Sequence, residues 1–186
     1  NPKAKDALPR IRQLIFEGKN KEAQELCGPT ICSPSANGMP YQTVGSLHLD
    51  FDGISNYNDY YRDLDIAKAI ATTRFTTNGV TYTREAYTSF PDQVLVIRLT
   101  ASQKKSISFT AKYTTPYKSN VVRSISSRKE LQLSGKANDH EGIEGKVEFT
   151  ALTRIENSGG SLEATSDSTL QVKNANSVTL YVSIGT

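Results

Sequence analysis

The chain has 186 residues, with 22 Lys and Arg against 19 Asp and Glu, a net charge of +3 and a pI near 8.8. That length holds one domain with its own core and excludes two ordinary domains with a linker. Hydrophobic residues at 37% and charged residues at 22% exclude a disordered chain.

The basic residues are dispersed, densest at Lys104-Lys105 and Arg128-Lys129, which argues against nucleic-acid binding. No run approaches the roughly 18 apolar residues that cross a bilayer, so no membrane insertion is expected. Nineteen Ser and nineteen Thr stand beside one Met and no Trp. Threonine with Tyr, Val and Ile describes pleated-sheet surfaces, so a mainly β fold is expected.

Residues 1–27 read as a helical hairpin. Ala4, Leu8, Ile11 and Ile15 recur at helical spacing, with Leu14 beside them. Pro9 places a helix start near Leu8 or a kink there, and Gly18 is a stop signal. Asn20 then caps a second short helix, with Glu22 in its first turn and Ala23, Leu26 and Cys27 on its apolar side. Such a hairpin needs a surface to cover its stripe. Residues 28–40 carry Gly28, Pro29, Pro34, Gly38 and Pro40 and read as a loop.

From there to residue 186 the signals are strands. The run 44–51 alternates, with Leu47, Leu49 and Phe51 on one face and His48 and Asp50 on the other. Runs 69–76 and 80–90 flank Asn78-Gly79, a strong hairpin signal. Further runs fall at 93–100, 106–113, 131–135, 146–155, 161–165, 169–173 and 178–184. Nine or ten short strands separated by turn residues argue for an antiparallel β-sandwich over residues 28–186. Val178, Leu180, Val182 and Ile184 form a core strand just before the chain stops. Both ends read as lying inside a longer polypeptide.

Cys27 and Cys32 leave two free thiols or a local bridge equally open. With only His48 and His140 beside them, a zinc site lacks ligands. No cofactor is implied. Phosphate-cradling glycine loops, nucleophile elbows and His-x-x-x-His pairs are all missing, so no catalytic residue is assigned.

Three segments remain as candidates. Asp139-His140-Glu141-Gly142-Ile143-Glu144-Gly145 crowds three carboxylates and a histidine, suited to a cation or to acid–base work. Its plainer reading is a strand connection with two glycines. Tyr57, Tyr60 and Tyr61, with Asn58 and Asp59, have the ring faces and hydrogen-bonding groups of a carbohydrate-binding platform. Tyrosines entering a strand also commonly seal a core edge. Gly38-Met39-Pro40-Tyr41-Gln42 reads first as a turn feeding the first strand.

The order of segments resembles the N-terminal domain of bacterial glycoside hydrolase family 95, the α-L-fucosidase group. The resemblance rests on Leu8-Pro9-Arg10-Ile11-Arg12-Gln13-Leu14-Ile15-Phe16-Glu17-Gly18-Lys19 and Met39-Pro40-Tyr41-Gln42 with Gly45-Ser46-Leu47. It continues through Tyr61-Arg62-Asp63-Leu64-Asp65-Ile66, Gly79-Val80-Thr81-Tyr82-Thr83-Arg84-Glu85 and Ser89-Phe90-Pro91-Asp92-Gln93-Val94. His140-Glu141-Gly142 and Val178-Thr179-Leu180-Tyr181-Val182-Ser183 complete it.

The resemblance implies a supersandwich-like domain packed on an (α/α)6 catalytic barrel of the same parent chain, with the equivalent domain of a related glycoside phosphorylase or hydrolase family of this architecture as an alternative. The parent would act on fucosylated glycans, removing terminal α-L-fucosyl or L-galactosyl residues with inversion. Inversion places a water between the anomeric carbon and the base, and the family's acid and water-activating groups belong to the barrel. Tyr41, Gln42, His140 and Glu141 would then contribute a loop at the rim of the cleft. A periplasmic or cell-surface location in a bacterium follows by the same association, and there a Cys27–Cys32 bridge would be permitted.

Overall fold

The computed structural model describes residues 1–33, 39–54, 56–117, 121–126 and 130–186. Pro34, Gly38 and the Arg128-Lys129 pair lie outside the described residues. Two compact units result: Asn1–Gln42 with Asp139–Gly145, and Thr43–Asn138 with Lys146–Thr186.

The first unit contains two helices, α1 (Ala4–Phe16) and α2 (Asn20–Ile31). Helix α1 begins before the position at which Pro9 was expected to start it, and Pro9 sits inside it. Pro9 removes one backbone donor and the helix continues past it. Its end is set by Gly18 at φ +76°, where Gly18 N–H donates to Ile15 O (3.0 Å) and Lys19 N–H to Leu14 O (2.8 Å). This pair of bonds is a Schellman motif, and it satisfies carbonyls that the helix end would orphan.

The buried face is Ile11 and Leu14 against Ala23, with Ala7, Leu26 and Cys27 beside them. It lies one position off the expected stripe, so Leu8 and Ile15 flank the contact and are exposed. Asn20 is the first helical residue rather than the cap, and Lys19 makes no side-chain cap bond. Helix α2 also runs through Gly28 and Pro29, four residues beyond the boundary expected at 27. Asn1 Nδ2 caps its far end, donating to the carbonyls of Pro29 (3.1 Å) and Cys32 (2.8 Å).

Among the described residues the second unit has twelve strands: β1 (Ser46–Asp50), β2 (Asn58–Asp65), β3 (Ile70–Thr77), β4 (Val80–Ser89), β5 (Val94–Ala101) and β6 (Ile107–Thr114). They continue as β7 (Val121–Ile125), β8 (Glu130–Lys136), β9 (Glu148–Ser158), β10 (Ser161–Ser166), β11 (Thr169–Ala175) and β12 (Ser177–Gly185). A four-stranded sheet has the order β1-β6-β11-β10 and an eight-stranded sheet the order β2-β3-β4-β5-β12-β9-β8-β7. All their pairings are antiparallel. The expected mainly β, antiparallel sandwich with short N-terminal helices is the fold observed.

Between the sheets lies one core. The four-stranded sheet contributes Ile107, Phe109, Ala111, Leu170 and Val172, and the larger sheet Leu99, Leu131, Leu133, Ile155, Val178 and Leu180. Nearly all alternate with outward polar residues, as a sheet with one dry face requires. The β3–β4 turn is the expected two-residue Asn78-Gly79 hairpin, with both residues at positive φ (50° and 74°), the sign of a type I′ turn. On β1, Leu47 and Leu49 face the core. Asp50 on the other face pairs with Lys112 at 2.8 Å, and His48 Nε2 is 2.7 Å from Thr114 Oγ1.

Two strands escaped the sequence reading, β2 and β7. They are the two edges of the eight-stranded sheet.

Candidate functional site

Tyr57, Tyr60 and Tyr61 are all about half exposed (57%, 55% and 48%), but they do not form one platform. Neighbouring residues of a strand point to opposite faces. Tyr61 is partnered across the strands by Arg74, whose guanidinium carbon lies 5.5 Å from the ring centroid. Tyr57 and Tyr60, with centroids 5.7 Å apart and rings tilted by 51°, belong to the other face. There Tyr57 meets Phe75 edge-on at 6.1 Å and Phe75 stacks on Tyr82 at 5.4 Å. Tyr82 adjoins the core. The structure therefore unites Tyr57 with Tyr60, as an aromatic extension of the core, and separates Tyr61 from them.

The acidic segment closes as a two-residue hairpin in the first unit. His140 N–H donates to Ile143 O (3.0 Å) and Ile143 N–H to His140 O (2.9 Å). Glu141 and Gly142 take φ of 49° and 80°, the conformation in which glycine is favoured at the second position. Asp139 Oδ1 accepts the Gly145 N–H at 2.9 Å, so its carboxylate serves the loop. His140 Nε2 is 3.8 Å from Glu141 Oε1, at the limit of a loose ion pair. Tyr41, in the same unit, is 94% exposed, and Gln42 is half-buried. Among the described residues no three His, Cys, Asp or Glu side chains gather closely enough to hold a metal ion. Cys27 and Cys32 are both free thiols.

A further site lies on the outer face of the eight-stranded sheet. Register aligns one residue from each of five adjoining strands: Tyr87 opposite Val96, Val96 opposite Tyr181, Tyr181 opposite Arg154, and Arg154 opposite Glu130. With Val94, Leu152 and Ser183 they line an open depression of about 720 Å³. Val96 is buried although it faces outward, because the two flanking tyrosines cover it. At one end Arg154 Nη2 and Nε lie 2.7 and 2.8 Å from Glu130 Oε1, and at the other Ser89 Oγ donates to Asp92 at 2.5 Å.

Ring faces at the centre with fixed charges at the ends suit an amphipathic ligand or a protein surface. The Glu130 carboxylate is held by Arg154 at Oε1 and accepts from Ser126 Oγ at Oε2 (3.3 Å). The sequence holds one trace of this depression. The run Val94-Leu95-Val96-Ile97 is apolar on both faces, which marks a strand covered on both sides. Which residues stand in the same row is a matter of register between strands distant in sequence.

Residues 1–186 match the family described as "Glycosyl hydrolase family 65, N-terminal domain". Among curated proteins, the chain is 28% identical over 201 residues to Alpha-L-fucosidase 2 of Arabidopsis thaliana, covering 94% of this chain and 23% of that protein. It is 33% identical over 96 residues to Probable alpha-fucosidase A of Aspergillus niger, covering 52% of this chain and 12% of that protein. The corresponding protein of Aspergillus oryzae is 28% identical over 102 residues, 55% of this chain and 13% of its own length. The chain thus spans a quarter or less of the curated relatives it matches. It belongs to the glycosyl hydrolase family 65 N-terminal domain family.

Proposed function

We propose that the chain is the non-catalytic N-terminal β-sandwich of an inverting, family 95 type α-L-fucosidase of a bacterium, acting on terminal α-L-fucosyl or L-galactosyl residues. Its task is structural: to seat the (α/α)6 barrel and to shape the rim of the cleft, with Tyr41, Gln42, His140 and Glu141 on the rim loop. The supporting observation is the proportion of the matches. A family of N-terminal domains covers all 186 residues, while the plant α-L-fucosidase aligned over 94% of the chain is about four times longer. On this reading the work of cleavage lies in the remainder, and by family association alone the parent enzyme is placed in the periplasm or at the cell surface.

The test is an assay of residues 1–186 on 4-nitrophenyl α-L-fucoside. No release of nitrophenol is expected at any enzyme concentration. Turnover by a homogeneous preparation, persisting in His140→Ala and Glu141→Ala, would overturn the assignment.

A second reading is a carbohydrate-binding module. Its support is the row Tyr87–Val96–Tyr181 with an ion pair at one end, beside the exposed Tyr57 and Tyr60. Titration with a fucosylated oligosaccharide, followed by NMR, separates the two. Shifts confined to Tyr87 and Tyr181, or to Tyr57 and Tyr60, favour binding and say where. An unchanged spectrum at millimolar sugar favours the scaffold.

A further inference from the structure

We infer that the free edge of β1, with the apolar groove beside it, receives an extended segment of the longer polypeptide that brings a carboxylate to Arg84. The inference rests on the proposed reading of the chain as one domain of a longer protein. Three observations lead to it.

The first is an unpaired edge. Strand β1 is hydrogen-bonded to β6 on one side and, among the described strands, to none on the other. A strand edge is a row of backbone donors and acceptors ready to template another strand.

The second is what lies beneath that edge. The eight-stranded sheet is broader than the sheet that covers it, and the groove of about 350 Å³ left at β1 is walled by Leu47, Leu49, Leu95, Ile97, Val182 and Ile184. Ile184 faces inward by its register with Ala151, yet it is 57% exposed. Among the described residues of this unit, nothing covers this core-facing isoleucine.

The third is Arg84, which says what the cover must carry. It stands opposite Leu99 and so points inward from β4 into the same groove. Its guanidinium carbon is 6.0 Å from the Phe51 ring centroid. Its Nε is sealed from solvent and, among the described residues, has no hydrogen-bond partner, and no acidic side chain of those residues lines the groove. Burial pushes Arg84 below the usual arginine range, opposed by a smaller pull from Tyr60. A buried donor on a permanent cation is costly to leave unmet, and a carboxylate answers both its charge and its geometry. A strand on β1 would present alternate side chains inward. Two small apolar residues flanking a Glu fill the groove and reach the guanidinium together.

The chain's last residues make the test direct, because Ile184 is part of the groove wall. A strand of pattern Val-Thr-Glu-Thr-Val is fused after Thr186 through a Gly/Ser linker of about twelve residues, whose mean span is about 20 Å. Hydrogen exchange at β1 is compared with fusions in which the Glu is Gln or the segment is scrambled. The expected result is exchange slowed about tenfold or more at the β1 amides that β6 does not bond. Most of the effect should be lost with Gln, while the scrambled segment behaves as the unfused chain.

Unchanged β1 exchange in the Glu fusion overturns the inference, and so does equal protection by Gln. A stable dimer of the unfused chain, with β1 protected, would assign the groove to a second copy and overturn it as well. None of these readouts involves turnover. Failure here is therefore distinct from failure of the fucosidase reading, which the nitrophenyl assay tests.

Discussion

Strands β12 and β2 belong to the same sheet and are nine and eight residues long, yet as sequences they have little in common. In β12, Val178, Leu180 and Val182 are buried and Thr179 and Tyr181 between them are only half-buried. In β2, every residue from Asn58 to Leu64 is exposed. The difference is one of position. β12 lies at the centre with the core on one face, while β2 is an outermost strand. Alternation is produced by two unlike environments, so a strand wet on both faces has no reason to alternate. Strand β2 is held by its pairing with β3 and by local contacts such as Tyr61 with Arg74.

The sharpest way to break this contrast is to remove bulk from each region. Phe109, 1% exposed and 5.3 Å from Phe51, should cost about 3–5 kcal/mol as Phe109→Ala in urea unfolding. Leu64, 62% exposed on β2, should cost about 0.5 kcal/mol or less as Leu64→Ala. Comparable losses at the two positions would refute the assignment of stability to the covered centre.

A second prediction concerns the connection between the sheets. Gly160 joins β9 of the larger sheet to β10 of the smaller at φ +66°, and an added Cβ would lie 2.0 Å from the Lys173 carbonyl oxygen. Gly160→Ala is therefore strained twice, by backbone and by contact. A loss of about 2 kcal/mol or more is expected, with the chemical shifts of β10 and β11 most displaced.

A smaller effect is expected inside the core, where Tyr113 Oη and Thr153 Oγ1 are 2.5 Å apart and buried. Thr153→Val leaves the phenol without its partner and should cost about 1–3 kcal/mol. Burial raises the Tyr113 pKa above its ordinary value, against a smaller opposing pull from the Thr153 bond. The unfolded chain thus releases this proton first. The contribution is fully present below the usual tyrosine value near 10 and declines as pH rises from there through the folded value. Stability measured from pH 9 upward should fall more gently in Tyr113→Phe than in the parent. An unaltered alkaline slope would show that Tyr113 ionises in the folded domain as easily as outside it.

The same physics decides what the sequence discloses. Ten of the twelve strands coincide with apolar alternation or a turn signal, because each has one face on the core. The two missed strands are the edges β2 and β7, where that signal has no cause. Gly18 and Asn78-Gly79 were legible because each is fixed by neighbours a few residues away. Helix α2 was extended past Gly28 and Pro29 by a termination that local residues do not dictate, its last carbonyls being met by Asn1. The row from Tyr87 to Glu130 and the sealed Nε of Arg84 depend on register between distant strands. Composition and spacing do not encode those alignments separately. The three tyrosines show the same limit: their type suggested a common surface, and strand parity divides them.

The smallest predicted effect is at that divided surface. Arg74→Gln removes the cation from over the Tyr61 ring, a contact made at an exposed edge where water competes for both partners. Cation–π contacts at exposed sites contribute about 0.5–1 kcal/mol, so the loss should not exceed that. Tyr57→Ala and Tyr60→Ala act on the other face, where the rings extend the aromatic series from Phe75 and Tyr82. If the two faces are independent, the loss in Arg74→Gln combined with Tyr60→Ala should equal the sum of the single losses within about 0.5 kcal/mol. A larger coupling would mean that edge strand β2 transmits strain from one face to the other, and that the exposed edge is a more cooperative part of the sandwich than its burial indicates.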